Sequence, residues 1–223
     1  VSESGIESGN PRWALGDANG PVVYVSWNEA KAFCDWLQAR WQKQGVVPED
    51  YRVALPSEPE WEKAARGGEV IPTQPKPVPI VDVVKQPPAF SNPLCPMLAN
   101  PFLRRPYPWG EGLDAEKANY DMNIGHVSAM GAYPQGLSPY GCEDISGNVW
   151  EWTKSLWQKA YPYPVDEQAR RQREVLEASG ARALRGGAFN CHARYVRCAS
   201  RNYNDPDDRS GYIGFRVVLS PYL

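Results

Sequence analysis

Cysteine and histidine are the side chains of this chain that could bind a soft metal or act as nucleophiles. The cysteines number five and the histidines two: Cys34, Cys95, Cys142, Cys191, Cys198, His126 and His192. Structural zinc of the finger type needs four such ligands in closely spaced pairs, and no Cys-x-x-Cys pair occurs. A complete disulfide framework is not expected in a chain of 223 residues with an odd number of cysteines, although one bridge remains open.

Length and charge exclude two further classes of protein. The chain is long enough for one large domain or two small ones with a buried core. Its formal net charge of −2 lacks the basic excess of a nucleic-acid binder, so no nucleic acid is expected as a partner. No apolar run approaches the roughly 18 residues of a membrane span. No signal-peptide pattern follows Val1, which favours a cytoplasmic location, and residues ahead of Val1 are expected to be missing.

Two segments begin with a serine that is followed three residues later by a glutamate, the capping box that opens a helix. These pairs, Ser26–Glu29 and Ser57–Glu60, predict helices near 27–44 and 57–66. In the first helix, the spacing of Ala30, Cys34 and Leu37 places their side chains on one face. That face is expected to pack in the core.

A proline-rich segment interrupts the chain after the second predicted helix. Eleven of the 22 prolines fall in residues 69–108, which blocks regular helix and favours extended geometry. We interpret 69–108 as an insertion in a single domain over 21–223, preceded by an N-terminal arm at 1–20. A linker between two domains is the alternative.

Seven short motifs follow one another along the chain with characteristic spacing. They are PVVYVSW at 21–27, LPSEPEWE at 55–62, ARGG at 65–68, YPWG at 107–110, GNVWEW at 147–152, LRGG at 184–187 and GFR at 214–216. Their order resembles the formylglycine-generating enzyme (sulfatase-modifying factor) family over about 21–219. The resemblance implies a loop-rich α+β fold of the C-type lectin-like type, with two helices and a small twisted antiparallel sheet. The family begins with further strands, so this chain is expected to be a fragment or to lack them.

The same resemblance bears on copper. Enzymes of this family oxidise a substrate cysteine with copper held by two thiolates, and soft thiolates suit Cu(I). Cys191 matches the first thiolate, but the second position, five residues later, is Val196, and Cys198 lies seven residues on. We therefore expect no copper and no catalysis. A copper-dependent formylglycine-generating oxidase remains the alternative.

A second metal is implied by the segment around GNVWEW, which resembles the calcium loop of the family. The matching ligands are the carboxylates of Asp144 and Glu151 and the carbonyls of Gly147 and Val149. Mixed carboxylate and carbonyl oxygens are what Ca²⁺ requires. A structural calcium ion is expected here, and the alternative is a carboxylate that is hydrogen-bonded to loop amides.

The C-terminal part of the chain lacks five residue types. Residues 1–181 contain 44 Lys, Glu, Gln, Met and Trp residues, whereas residues 182–223 contain none. These five types are the ones that codons ending in C cannot encode, and most residues present can be reached from the codon AAC by replacing adenines. The window resembles the C-terminal region of variable proteins produced by diversity-generating retroelements. An ordinary loop region rich in Asn, Asp and Tyr is the alternative.

The resemblance predicts a variable region at about 186–213 with ligand-binding side chains. These are Phe189, Asn190, Cys191, His192, Tyr195, Val196, Cys198, Ser200, Asn202, Tyr203, Asn204, Asp205, Asp208, Ser210, Gly211 and Tyr212. Exposure is expected for eight of the variable positions: Cys191, His192, Tyr195, Tyr203, Asp205, Asp208, Ser210 and Tyr212. Arg185, Arg201 and Arg216 are expected to be mostly buried, with their guanidinium groups bonded to loop carbonyls. Burial is likewise predicted for Leu37, Trp61, Trp150, Phe215 and Val217.

Together these patterns predict a non-catalytic, monomeric ligand-binding protein. The candidate positions spread over some 25 residues rather than one pocket, which favours a protein or another macromolecule as the ligand. Beside the oxidase, a non-catalytic family domain with one fixed partner is the remaining alternative. That reading would not explain the missing residue types.

Overall fold

The computed structural model describes residues 19–75, 96–159 and 163–221. In chain order the elements are α1 (Trp27–Lys43), β1 (Tyr51–Ala54), α2 (Glu58–Arg66), β2 (Val70–Pro72), β3 (Met97–Ala99), β4 (Trp150–Leu156), α3 (Glu167–Arg173), β5 (Arg182–Arg185), a 3-10 turn (Ala193–Tyr195), β6 (Arg201–Asn204), β7 (Ile213–Phe215) and β8 (Val218–Pro221). Much of the remaining described chain is turn and loop.

Both predicted helices form, and each begins at its capping box. In α1 the Ser26 hydroxyl accepts from the amide of Glu29 at 3.2 Å, and the Ser26 amide donates to the Glu29 carboxylate at 2.8 Å. Ser57 and Glu60 repeat the arrangement at the start of α2. These reciprocal bonds satisfy amide groups that the first turn of a helix leaves without partners.

Strands β6, β5, β4 and β7 form the central sheet, in that order. β5 pairs antiparallel with both β4 and β6, whereas β4 and β7 run parallel. The sheet is therefore mixed rather than wholly antiparallel, because GFR returns beside β4 after a long connection instead of a hairpin. β1 pairs with β8 in a separate two-stranded sheet.

The core lies where α1 packs near the central sheet. Trp27, Leu37, Trp150 and Trp152 belong to one buried cluster. Trp61 of α2 is also buried, in a second cluster. Burial of Leu37, Trp61 and Trp150 is thus as predicted.

Two predicted core residues differ from expectation. The predicted burial of Val217 is wrong, because this residue lies between β7 and β8 and its side chain is 36% exposed. Phe215 is only partly buried, and its ring meets Phe33 of α1 edge-on at a centroid distance of 5.5 Å. Phe215 is the last residue of β7, an edge strand of the central sheet, and Val217 lies in the link to β8, so neither is flanked by strands on both sides.

The ends of the proline-rich segment pair with each other. β2 and β3 form a two-stranded antiparallel sheet, and neither pairs with the central sheet. Residues 76–95, with Cys95, lie outside the described residues, as do residues 1–18 of the predicted arm. The domain limits therefore stay a prediction.

Candidate functional site

The predicted variable region runs through the 3-10 turn, β6 and the loop at 205–212. Within the part of the chain that the structure describes, β6 is an edge strand of the central sheet and pairs with β5. Eight of the predicted side chains are exposed, and we call them the C-terminal surface: Asn190, His192, Tyr195, Asn202, Tyr203, Asp205, Asp208 and Tyr212. Five more are half-buried: Phe189, Cys191, Asn204, Ser210 and Gly211.

Three predicted ligand-binding positions have buried side chains, and two whose exposure was predicted, Cys191 and Ser210, are only half-exposed. Val196 (1% exposed) packs with Tyr120, and Cys198 (2%) packs in the cluster of Trp61. Ser200 (8%) turns its hydroxyl to the carbonyl of Arg194. These side chains hold the loop to the domain, so substitutions there alter packing rather than a contact surface.

Arg201 anchors β6 from below the surface. Its guanidinium donates to both carboxylate oxygens of Glu58, at 2.6 and 2.7 Å. The same guanidinium lies 4.4 Å from the centroid of the Trp157 ring, and Tyr203 stacks on that ring with centroids 4.8 Å apart. The exposed tyrosine is therefore held by an aromatic ring that a buried ion pair positions.

Glu58 joins three arginines from different parts of the chain. Besides Arg201, its carboxylate accepts from Arg173 at 2.8 Å and from Arg185 at 3.5 Å. Glu58, Arg173 and Arg185 are each at most 3% exposed. The predicted burial of Arg185 and Arg201 is confirmed, but their main partners include carboxylates as well as the predicted carbonyls. No sequence pattern singles out Trp157, whereas Glu58 lies within the LPSEPEWE motif.

The loop at 205–212 is docked onto the start of α1. Arg209 donates to both oxygens of the Glu29 carboxylate at 2.9 Å, and the amide of Trp27 donates to the carbonyl of Pro206 at 3.0 Å. The hydrogen bond from Arg209, with that from the Ser26 amide, lowers the pKa of Glu29 from 4.5 to about 2. These contacts fix the position of the loop that carries the exposed aspartates.

Tyr195 is also held in place before any ligand binds. The Arg194 guanidinium donates to the Tyr195 hydroxyl at 2.8 Å and lies 4.6 Å from the ring centroid. The amide of Arg194 in turn donates to Nδ1 of His192 at 3.3 Å. A tyrosine with a fixed ring loses little entropy on binding, as in antibody loops.

The surroundings of the two thiols in this region favour their protonated form. Burial raises the pKa of Cys191, and burial raises that of Cys198 to about 12. Cys191 packs against the first core cluster and Cys198 in the second. Across the described ranges, no group of three or more His, Cys, Asp or Glu side chains converges in a way that could hold a metal.

The predicted calcium loop contains an ion pair. Both oxygens of Glu151 accept from Arg216, at 2.5 and 2.6 Å, and one of them also accepts from the Trp61 indole at 2.6 Å. Arg216 further donates to the carbonyl of Asp144 at 3.4 Å. Burial raises the pKa of Asp144, whose carboxylate accepts from the Gly131 amide at 2.7 Å. Of the two predicted carboxylate ligands, Glu151 is therefore already neutralised by Arg216, and Asp144 is half-buried with an amide as its donor.

Comparison with known sequences agrees with these motifs. Residues 6–221 match the model of the sulfatase-modifying factor enzyme 1-like domain. A formylglycine-generating enzyme of Thermomonospora curvata is 31% identical over 206 residues, which are 91% of this chain and 56% of that enzyme. The inactive C-alpha-formylglycine-generating enzyme 2 of Bos taurus is 30% identical over 209 residues, 89% of this chain and 50% of that protein. The chain thus spans about half the length of these relatives.

Among solved structures, Treponema denticola variable protein 1 shares the fold. The two chains superpose with a TM-score of 0.61 at 21% identity, over 97% of this chain and 76% of that one. The expected α+β, C-type lectin-like fold is confirmed. Within the described ranges, no helix combines the length and apolar content that crossing a bilayer requires.

Proposed function

The chain belongs to the sulfatase-modifying factor enzyme 1-like domain family, and we propose that it binds a macromolecular ligand through a diversified surface and catalyses no reaction. The ligand contacts are the eight side chains of the C-terminal surface. The five half-buried positions form its margin. A protein is the partner class that this surface fits best.

One observation carries the proposal: within the window that lacks five residue types, exposed residues lie close to residues that are anchored in the fold. Tyr203 is 50% exposed, while Arg201, two residues earlier in the same strand, is bonded to the buried Glu58. Likewise, exposed Tyr195 precedes buried Val196. A surface position can change without loss of the fold only where its anchors are supplied by neighbours, and that is the arrangement here.

The chemistry of the surface suits protein recognition. Tyr195, Tyr203 and Tyr212 are each 39–50% exposed and offer broad amphipathic contact. Asp205 and Asp208 add acceptors for charged or amide donors of a partner. An extended surface of this kind is typical of a protein interface, whereas small molecules bind in concave pockets.

The oxidase remains the second candidate, because a formylglycine-generating enzyme is 31% identical to this chain. Against it, Val196 is buried at the position that matches the second thiolate, and the pKa of Cys191 is raised. A copper site built on Cys191 would thus lack one ligand and start from a protonated thiol. The calcium ion also stays a proposal, with Asp144 as its best-suited ligand.

The diversification is tested by sequencing the 3′ end of the gene and its surroundings in many isolates. We expect a nearby near-copy rich in AAC codons, with substitutions only where that template has adenine and confined to the codons of about 186–213. Substitutions spread evenly along the gene, or the absence of such a copy, would contradict the proposal. The oxidase is tested separately by incubating the copper-supplied protein with a CxPxR peptide, and aldehyde formation would establish it.

A further inference from the structure

A row of aromatic rings crosses the surface from α1 to the edge of the central sheet. The rings of Trp36 and Phe33 have centroids 5.6 Å apart, and Phe33 meets Phe215 of β7 at 5.5 Å. Trp36 is 52% exposed and Phe33 is 41% exposed. The guanidinium of Arg40 lies 5.3 Å from the centroid of the Trp36 ring. We call Phe33, Trp36, Arg40 and Phe215 the aromatic face.

The aromatic face gives α1 a second apolar side. Ala30, Cys34 and Leu37 are the side that packs in the core. A surface helix normally has one apolar stripe, and its other positions are polar. In the part of the chain that the structure describes, the second side is open to solvent. A contiguous exposed patch of large apolar side chains is typical of an interaction site.

The composition of the aromatic face suits a protein partner. Tryptophan, other aromatic residues and arginine are enriched at protein interfaces, and tryptophan and arginine often contribute most of the binding energy. Here an exposed tryptophan carries an arginine on its ring. This contact orients the indole before a partner binds, so less side-chain entropy is lost on association.

The two ends of α1 next to this face carry opposite charge. Arg40 and Lys43 are exposed at the end of the helix, and no carboxylate of the described residues pairs with either. At the start, the carboxylates of Glu29 and Asp207 lie near one cation, Arg209. The start of the helix is therefore net negative and its end is net positive.

The carboxylates that follow α1 lie on its other side. Glu49 and Asp50 lead into β1, which meets α1 at Gln38, whose side chain donates to the carbonyl of Tyr51 at 2.9 Å. Gln38 is two positions from both Trp36 and Arg40 in sequence. At about 100° per residue it therefore faces away from them. The basic end of the aromatic face is thus separate from these acidic residues.

We propose that the aromatic face binds a second copy of this chain, with the two α1 helices antiparallel about a two-fold axis at Trp36. Lys43 and Glu29 each lie seven positions from Trp36. The two-fold arrangement therefore brings the basic end of each helix to the acidic start of the other, and each contact occurs twice. Parallel helices would instead bring like charges together.

The size of the face predicts a reversible dimer. A contact as long as the 17-residue α1, about 25 Å, and about 20 Å wide buries on the order of 500 Å² of each copy. The total of about 1,000 Å² is at the lower limit of specific interfaces, and we expect a Kd of about 20 µM. At low concentration the chain is then the expected monomer. The dimer carries two C-terminal surfaces, but the proposal does not depend on what binds there.

The test is sedimentation velocity of the full chain between about 2 and about 200 µM. With a Kd of about 20 µM, we expect about 85% monomer at the lower concentration and about 80% of the chains in dimers at the higher one. Trp36→Gln should weaken association at least about tenfold, because it removes the ring at the centre of the contact. The matched control is Phe102→Gln, which removes an aromatic ring that is 50% exposed and lies outside the face. This control should associate like the parent.

A charge exchange tests the antiparallel arrangement. Lys43→Glu places an acidic side chain against Glu29 and Asp207 of the second copy and should weaken association at least about threefold. Adding Asp207→Lys to the same chain should restore association, because the exchange recreates an opposite pair. Both positions are exposed, so the fold should tolerate the exchange, and Tm checks this.

The proposal is overturned if the parent stays monomeric at about 200 µM. It is also overturned if Trp36→Gln associates as tightly as the parent, or if Phe102→Gln loses association to the same extent as Trp36→Gln. Failure of Asp207→Lys to restore association in the Lys43→Glu chain would show that the helices do not pair antiparallel.

Discussion

Arg201 and Glu58 are 143 positions apart in the chain, yet the guanidinium of one chelates the carboxylate of the other, with Nε–Oε1 at 2.6 Å and Nη2–Oε2 at 2.7 Å. The pair connects the edge strand of the central sheet to the first turn of α2. It is shielded from water, since the side chains are 11% and 3% exposed. The strand that carries Tyr203 is therefore fixed by a contact beneath the surface.

Replacing Arg201 with Gln should lower the free energy of unfolding by about 2–3 kcal/mol, because Glu58 loses its two-point partner while Arg173 and Arg185 remain. Asn202→Ser, one residue later on the exposed side, should change it by less than about 0.5 kcal/mol. Urea denaturation of the two variants measures the difference. Equal losses would mean that the pair does not anchor β6.

Neighbouring positions 195 and 196 should respond oppositely to truncation. Val196→Ala removes buried methyl groups and should cost about 2 kcal/mol, whereas Tyr195→Ala should cost less than about 1 kcal/mol. In ligand binding we expect the reverse, with a large loss for Tyr195→Ala. Thermal melts measure the first difference, and the ranking would be contradicted if Tyr195→Ala melted lower than Val196→Ala.

The ion pair of Glu29 and Arg209 predicts a defined dependence of stability on pH. The pKa of Glu29 is about 2 in the folded chain and 4.5 in the absence of its partners. Because the folded pKa is the lower one, the pair stabilises the fold above about pH 4.5, and that stabilisation is lost as the pH falls towards 2. Both side chains are about half exposed, so the effect is small and weakens with salt.

The comparison is between the parent and Arg209→Gln in urea unfolding from pH 7 to pH 2. The two curves should differ at neutral pH and converge as the pH falls through that window. If the two curves stay parallel over this pH range, Arg209 does not lower the pKa of Glu29 in the folded chain.

Calcium should raise Tm, and EDTA should lower it, if Asp144 and the neighbouring loop carbonyls hold the ion as the family resemblance implies. The carboxylate of Asp144 is half-buried with one amide donor, so a cation there would relieve its desolvation. Asp144→Asn should abolish the response to calcium. The same Tm in calcium and EDTA would contradict the metal and leave Arg216 as the charge that balances this loop.

The sequence alone predicts the features that depend on residues close to one another in the chain. Both helices begin at their capping boxes, since Ser26 with Glu29 and Ser57 with Glu60 bond within one helical turn. The apolar spacing in α1 similarly predicted the burial of Leu37. The order of the motifs correctly predicts the family and the C-type lectin-like fold.

Tertiary structure decided which residues of the C-terminal region reach solvent. Nothing local distinguishes Val196, Cys198 and Ser200 from their exposed neighbours, because their burial comes from packing against parts of the chain distant in sequence. The parallel pairing of β7 with β4 and the exposure of Val217 have the same origin. The sharing of Glu58 by three arginines does too: an ion pair across more than a hundred residues depends on how the helix and the strands pack, and a residue's type and immediate neighbours do not encode that geometry.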